Sequence, residues 1–159
     1  MDVKPRARPE LAPLARLISE APVAMLTTEE PDRSLRSRPM RTLQMDDDGA
    51  LWFLTSISSS KITALDHHRR ASLSYFGRDR RRFACVCGIT QLIRDEAKAS
   101  ELWSAALLPW LRDGPDDPDV VLLKLTIEEA RYWSEPAGPA TVLVELAATR
   151  ERQRIRSPE

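Results

Sequence analysis

Apolar and polar positions along this chain repeat with two different periods. From Leu11 the apolar residues Leu14, Ala15, Leu17 and Ile18 return at three- and four-residue steps, so the spacing predicts a helix over 10–20 with one buried face, opened by Pro9 and ended by Pro22. Period two then takes over. Val23–Thr28 predicts a first strand, closed by the turn residues of Glu29–Arg33, and Ser34–Met45 a longer second one. In that second strand Arg36, Arg38 and Met40 share one face and Ser37, Pro39 and Arg41 the other, while Pro39 removes a ladder donor and so belongs at an edge or a bulge. Asp46–Gly49 is a tight turn into the apolar run Leu51–Thr55, which predicts a hairpin. A second pair, Ala71–Phe76 and Arg82–Ile93, is joined through Gly77–Arg80.

Asp95 caps a predicted helix carrying Ala97, Ala99, Leu102 and Trp103, and a further helical stretch holds Leu107, Leu108 and Trp110. Arg112–Asp119 is a loop. Val120–Ile127 alternates as a sixth strand and continues toward Trp133; Glu135–Pro139 breaks the chain, and Thr141–Arg154 is expected to be a closing helix. Met1–Arg8 is polar, proline-bearing and expected to be mobile. Six strands in mostly hairpin order imply a mainly β fold with flanking helices, a small antiparallel barrel rather than a doubly wound sheet. One domain over 1–159 is expected, with a core of about 11–134 and a C-terminal extension over 135–159.

Charge adds exclusions. The 24 basic and 24 acidic residues cancel, which argues against a nucleic-acid or anionic-membrane binder driven by bulk charge. No apolar run approaches the ~20 residues that cross a bilayer, and the N-terminus has no apolar signal-peptide core, so a cytoplasmic protein is the expectation. Cys85 and Cys87 sit two apart on one strand, cannot easily join to one another, and have no second cysteine pair beside them; small apolar core positions are expected and no metal.

The candidate chemistry lies where the Leu51–Thr55 strand stops. Ser58, Ser59, Ser60 and Lys61 precede a short helical stretch, Ile62–His68, and so stand at a helix start. Unpaired N–H groups, hydroxyl donors and a full positive charge there suit a phosphate monoester. A serine capping a surface helix beside a solvated lysine is the alternative. His67 and His68 end that helix, where a histidine suits the negative end of the dipole; Trp103 and Trp110 lie among leucines as core or dimer contacts; and Arg78–Arg82, interrupted by Asp79, is a solvated turn.

Trp52-Phe-Leu-Thr-Ser with Ser60-Lys61, Ala71-Ser-Leu-Ser-Tyr75, Gly88, Glu101-Leu-Trp103, Gly114-Pro-Asp-Asp-Pro-Asp119 and Tyr132-Trp133, in this order over about 11–133, resemble the general stress protein 26 branch of the pyridoxamine-phosphate-oxidase-like flavoproteins. The resemblance implies a six-stranded antiparallel split β-barrel and a homodimer with FMN, or alternatively FAD, at each of two interface sites. It assigns the flavin phosphate to Ser60 and Lys61 with Thr55 at the end of the preceding strand, and the ring to the strand of Arg38, Pro39 and Met40. Arginine or backbone N–H groups there would favour the reduced, negatively charged flavin, and Met40 offers a soft contact to the ring face. Arg36 and Arg41 are alternatives for the charge role. Gln91, on the strand face of Cys85, Cys87 and Ile89, is assigned to a ring carbonyl of the partner subunit. The chain after Trp133 does not resemble the segment with which catalytic pyridoxamine phosphate oxidases grip their substrate, which disfavours vitamin B6 synthesis. A flavin-dependent oxidoreductase with a small-molecule redox partner is therefore expected; the alternatives are a flavin-buffering stress protein without a dedicated substrate and a cofactor-free barrel dimer that serves as an interaction module.

Overall fold

The computed structural model describes residues 2–3, 8–56, 70–103, 114 and 117–145. Its strands are β1 (Asp2–Val3), β2 (Val23–Glu29), β3 (Leu35–Arg41), β4 (Gln44–Met45), β5 (Ala50–Ser56), β6 (Arg70–Phe76), β7 (Phe83–Ile93), β8 (Val120–Trp133) and β9 (Thr141–Val144). Two helices accompany them, α1 (Ala12–Glu20), entered through a 3₁₀ turn at Pro9–Leu11, and α2 (Glu96–Leu102). One sheet runs in the order β1-β4-β5-β8-β7-β6-β2-β3, with β9 beside β8, and every pairing except β1 with β4 is antiparallel. Six strands have seven residues or more, which is the expected six-stranded barrel; β9 and the two-residue β1 and β4 are additions to it.

Chain connectivity forces the sheet to curl. β3 and β4 lie toward opposite ends of the strand order, yet only Thr42 and Leu43 separate them in sequence, a span of about 11 Å at full extension. Thr42 N–H donates to Pro22 O at 2.8 Å, on the β2 side, and Leu43 N–H donates to Trp52 O at 2.9 Å, on the β5 side. The segment 35–45, expected from sequence as a single strand, is thus one bent strand that pairs with β2 over its first half and with β5 over its last two residues. A buried hydrogen bond of 2.6 Å between Thr42 Oγ1 and Tyr75 Oη pins the corner. Above the corner, β3 and β5 part, and the barrel is split there.

Alternation sorts the side chains into two cores. Leu51 and Phe53 of β5, Leu26 of β2, Leu73 and Tyr75 of β6, Val86 of β7 and Leu123 and Leu125 of β8 pack with Leu11, Leu14, Leu17 and Ile18 of α1 in the main cluster. Trp52, Leu54 and Leu122, of opposite phase, pack with Ala99 of α2 on the other face. Burial on both faces explains why β5 reads as a continuous apolar run rather than an alternating one. Asp95 accepts from Lys98 N–H at 3.0 Å and caps α2 as expected. Gly88 is required where β7 slips register against β8, because a Cβ there would lie 2.0 Å from the carbonyl oxygen of Thr126.

Three sequence expectations need correction. Thr141–Val144 is a strand on β8, not the start of a helix; its β-branched Thr141, Val142 and Val144 suit the sheet, and residues 146–159 lie outside the described ones. Asp2–Val3, expected to be mobile, pairs with Gln44–Met45. Cys85 and Cys87 are half-buried rather than core residues, since the inward phase of β7 is Ala84, Val86, Gly88 and Thr90.

Candidate functional site

The split has two lips. β3 pairs only with β2, so its other edge carries N–H and C=O groups that no described strand covers, and β5 is covered by β4 only at Leu51 and Trp52. Both lips diverge from the same corner. Of the sequence candidates, Arg38, Pro39 and Met40 lie on β3 and Thr55 near the end of β5.

Polar groups collect at its inner side. Thr55 shares the inward phase of Leu51 and Phe53, is 2 % exposed, and its Oγ1 has no hydrogen-bond partner among the described residues. Leaving a buried hydroxyl unsatisfied costs roughly 1–3 kcal/mol, so the position is made for an incoming acceptor or donor. Arg38 sits opposite Leu26, and its guanidinium reaches along β2: Nη1 donates to Thr28 Oγ1 at 2.8 Å and Nη2 to Glu30 Oε1 at 3.2 Å. Desolvation pushes the guanidinium pKa down and Glu30 opposes it, so the cation is held against its carboxylate. Arg36 approaches the same Glu30 oxygen at 3.7 Å but is largely exposed. Of these arginines, Arg38 is bound most closely to Thr28 and Glu30, while Arg41, of opposite phase, is half-buried.

The other candidates lie elsewhere. Pro39 is exposed on the open edge, where its missing N–H costs no ladder bond. Met40 packs in the main core, so its side chain belongs to the barrel interior. Gln91 is exposed on the outer face of β7, in register with Lys124 and two strands away from β5; within one chain it does not converge with the lips. Ser60 and Lys61, with Ser58, Ser59, His67, His68 and Trp110, lie outside the described residues. Thr28 and Glu30, the partners of Arg38, were not singled out from sequence. The available signal was Thr28 itself, a hydroxyl in the inward phase set by Ala24 and Leu26.

A sheet closed on itself by one shared strand, with a polar opening beside the closure, defines a split β-barrel. The chain belongs to the pyridoxamine 5'-phosphate oxidase-like family, whose model matches residues 10–154. No curated protein sequence matches it. Among solved structures, general stress protein 26 from Bacillus anthracis is similar with 21% identity and a TM-score of 0.68, over 80% of this chain and 93% of its own. A pyridoxamine 5'-phosphate oxidase-related, FMN binding protein from Nostoc punctiforme aligns with a TM-score of 0.70 and 19% identity, over 84% of this chain and 88% of its own. The general stress FMN/FAD binding protein of Xanthomonas citri is 27% identical over 76% of this chain and 84% of its own, with a TM-score of 0.62.

Proposed function

We propose that the split binds a flavin nucleotide, FMN or FAD, and that the protein is a flavin-dependent oxidoreductase of the general stress type. The observations that carry this reading are the buried Thr55 hydroxyl, which has no partner among the described residues, the uncovered edge of β3 and the half-buried Arg38. A group with polar edges and an anionic end answers all three, and two similar structures are named for flavin binding. In this reading Ser60 and Lys61, which follow β5 in the chain, hold the phosphate, Thr55 bonds at the neck, and the β3 edge with Arg38 runs beside the ring. When bound, the flavin supplies hydride or electron transfer. The chain's part is to orient it, and the Arg38 charge, partly neutralised by Glu30, favours its anionic reduced form. Gln91 is distant from the lips of its own chain, which suits a role toward the flavin of a partner subunit in a homodimer.

An absorption and fluorescence titration with FMN, FAD and riboflavin tests the reading. Saturable binding with FMN preferred over riboflavin is expected, and Lys61→Ala is expected to cost about 1.5–3 kcal/mol of FMN affinity, the scale of one lost charge-assisted hydrogen bond. No binding of any flavin removes the proposal; unchanged affinity in the variant removes the phosphate assignment. Turnover of NADH or NADPH no faster than with free flavin would sink the enzyme reading for those donors.

A further inference from the structure

The outer face of β7 carries a feature that the flavin reading does not use. Cys85 and Cys87 lie two residues apart on that face, both half-buried and both free thiols. Register places Ser74 and Ser72 beside them on β6, and Arg131 and Glu129 on β8. Ser72 stands opposite Cys87, yet its Oγ lies 3.5 Å from Cys85 Sγ. The Cys85 sulfur and the Ser72 hydroxyl thus lean toward one another along the strands. The pair stands in line along the outer face, flanked by Ser74 and Ser72 on the β6 side. Beside it, Arg131 Nε donates to Glu129 Oε1 at 2.8 Å, a closed ion pair that walls the β8 side.

Strand geometry decides what such a pair can do. Residues two apart on one face keep their Cα atoms, and their nearly parallel Cβ atoms, about 6.6 Å apart. A disulfide needs Cβ atoms at roughly 3.5–4.5 Å, so this pair does not close into one without breaking the strand. An ion held between two sulfurs needs less: two metal–thiolate bonds of roughly 2.3 Å each bridge about 4.6 Å, which inward-leaning sulfurs on these Cβ atoms can meet. Zinc would want four ligands. Among the described residues there is no group of three or more His, Cys, Asp and Glu side chains able to hold a metal. Two soft sulfurs and no third strong donor match a monovalent d¹⁰ ion in linear coordination, Cu(I) or its analogue Ag(I).

We propose that Cys85 and Cys87 form a two-coordinate thiolate site for a monovalent soft cation on the outer face of β7. Binding exchanges the remaining thiol protons for the ion, releases them to solvent and moves no electron. Arg131 lies in register with Cys85 and Glu129 with Cys87, so the ion pair on β8 flanks the site with both signs.

Anaerobic titration of the reduced, full-length protein with Cu(I) against a chromophoric Cu(I) chelator tests the site, with and without added FMN. One equivalent per chain is expected, with ultraviolet thiolate-to-copper charge-transfer absorption. Cys85→Ser and Cys87→Ser are each expected to weaken binding roughly a hundredfold or more, since the second sulfur acts at high effective concentration. Bound Cu(I) should also protect both thiols of the wild-type protein from alkylation, a readout that needs no variant. Binding unchanged in Cys87→Ser would mean an adventitious single thiol and would overturn the proposal. So would no Cu(I) uptake, alkylation at the unprotected rate, or an air-oxidised species lighter by two hydrogens whose reduced form takes up no copper.

Discussion

Thr55 joins folding and function through one atom with opposite effects on each. Its hydroxyl is buried with nothing to bond, so replacing it by the similarly shaped valine removes a cost without leaving a hole. Thr55→Val is expected to raise stability by about 1 kcal/mol and to weaken FMN binding about fivefold, a loss of about 1 kcal/mol. Thermal unfolding and flavin titration of the same preparation check both signs; a stabler variant with unchanged affinity would place the hydroxyl away from the ligand. Tyr75 is the contrasting case, a buried hydroxyl that is satisfied. Burial pushes its phenol pKa up and the Thr42 bond opposes this. Because the folded state keeps the proton after the unfolded state begins to release it near pH 10, stability falls as pH rises above about 10. Tyr75→Phe should lose about 1–2 kcal/mol at neutral pH, by stranding the Thr42 hydroxyl, and should flatten that alkaline decline in denaturant titrations.

Among the elements, the pairing of β7 with β8 has the least tolerance. At Gly88 the obstacle to a side chain is a backbone carbonyl, which cannot swing aside as a side chain could. Gly88→Ala is expected to destabilise by about 3 kcal/mol or more, read as a lower denaturant midpoint. Elements of this kind were legible from sequence where local pattern and tertiary burial agree: α1 from its leucines, β2, β6 and β7 from alternation, α2 from the Asp95 cap. Thr141–Val144 was misread because four residues are too few for either period to declare itself, and the pairing with β8 decided the outcome. The site was legible in part for a similar reason. Arg38 stands out as a cation in the phase of Met40, but Glu30 lies in a turn, and nothing local says that its carboxylate folds back to the Arg38 guanidinium. Likewise Met40 is apolar wherever it points; only the closed barrel shows that it points inward.

For the whole molecule, balanced charge leaves shape and local chemistry to select partners. Val23, Met25 and Phe76 are exposed apolar side chains on neighbouring strands β2 and β6. Light scattering of the dilute protein is expected to give twice the 18.0 kDa of the single chain, and a monomer there would remove the interface from the proposed flavin site.

The bent strand over 35–45 gives this barrel a mechanical character of its own. Its halves belong to different pairings and meet at Thr42–Leu43. Each lip is laced along its length to the strand behind it, β3 to β2 from Leu35 to Arg41 and β5 to β8 from Ala50 to Ser56. The corner therefore works as a buckle: one short stretch of chain, fastened by the Thr42 hydroxyl to Tyr75, joins two ends of a sheet that share no other pairing among the described strands.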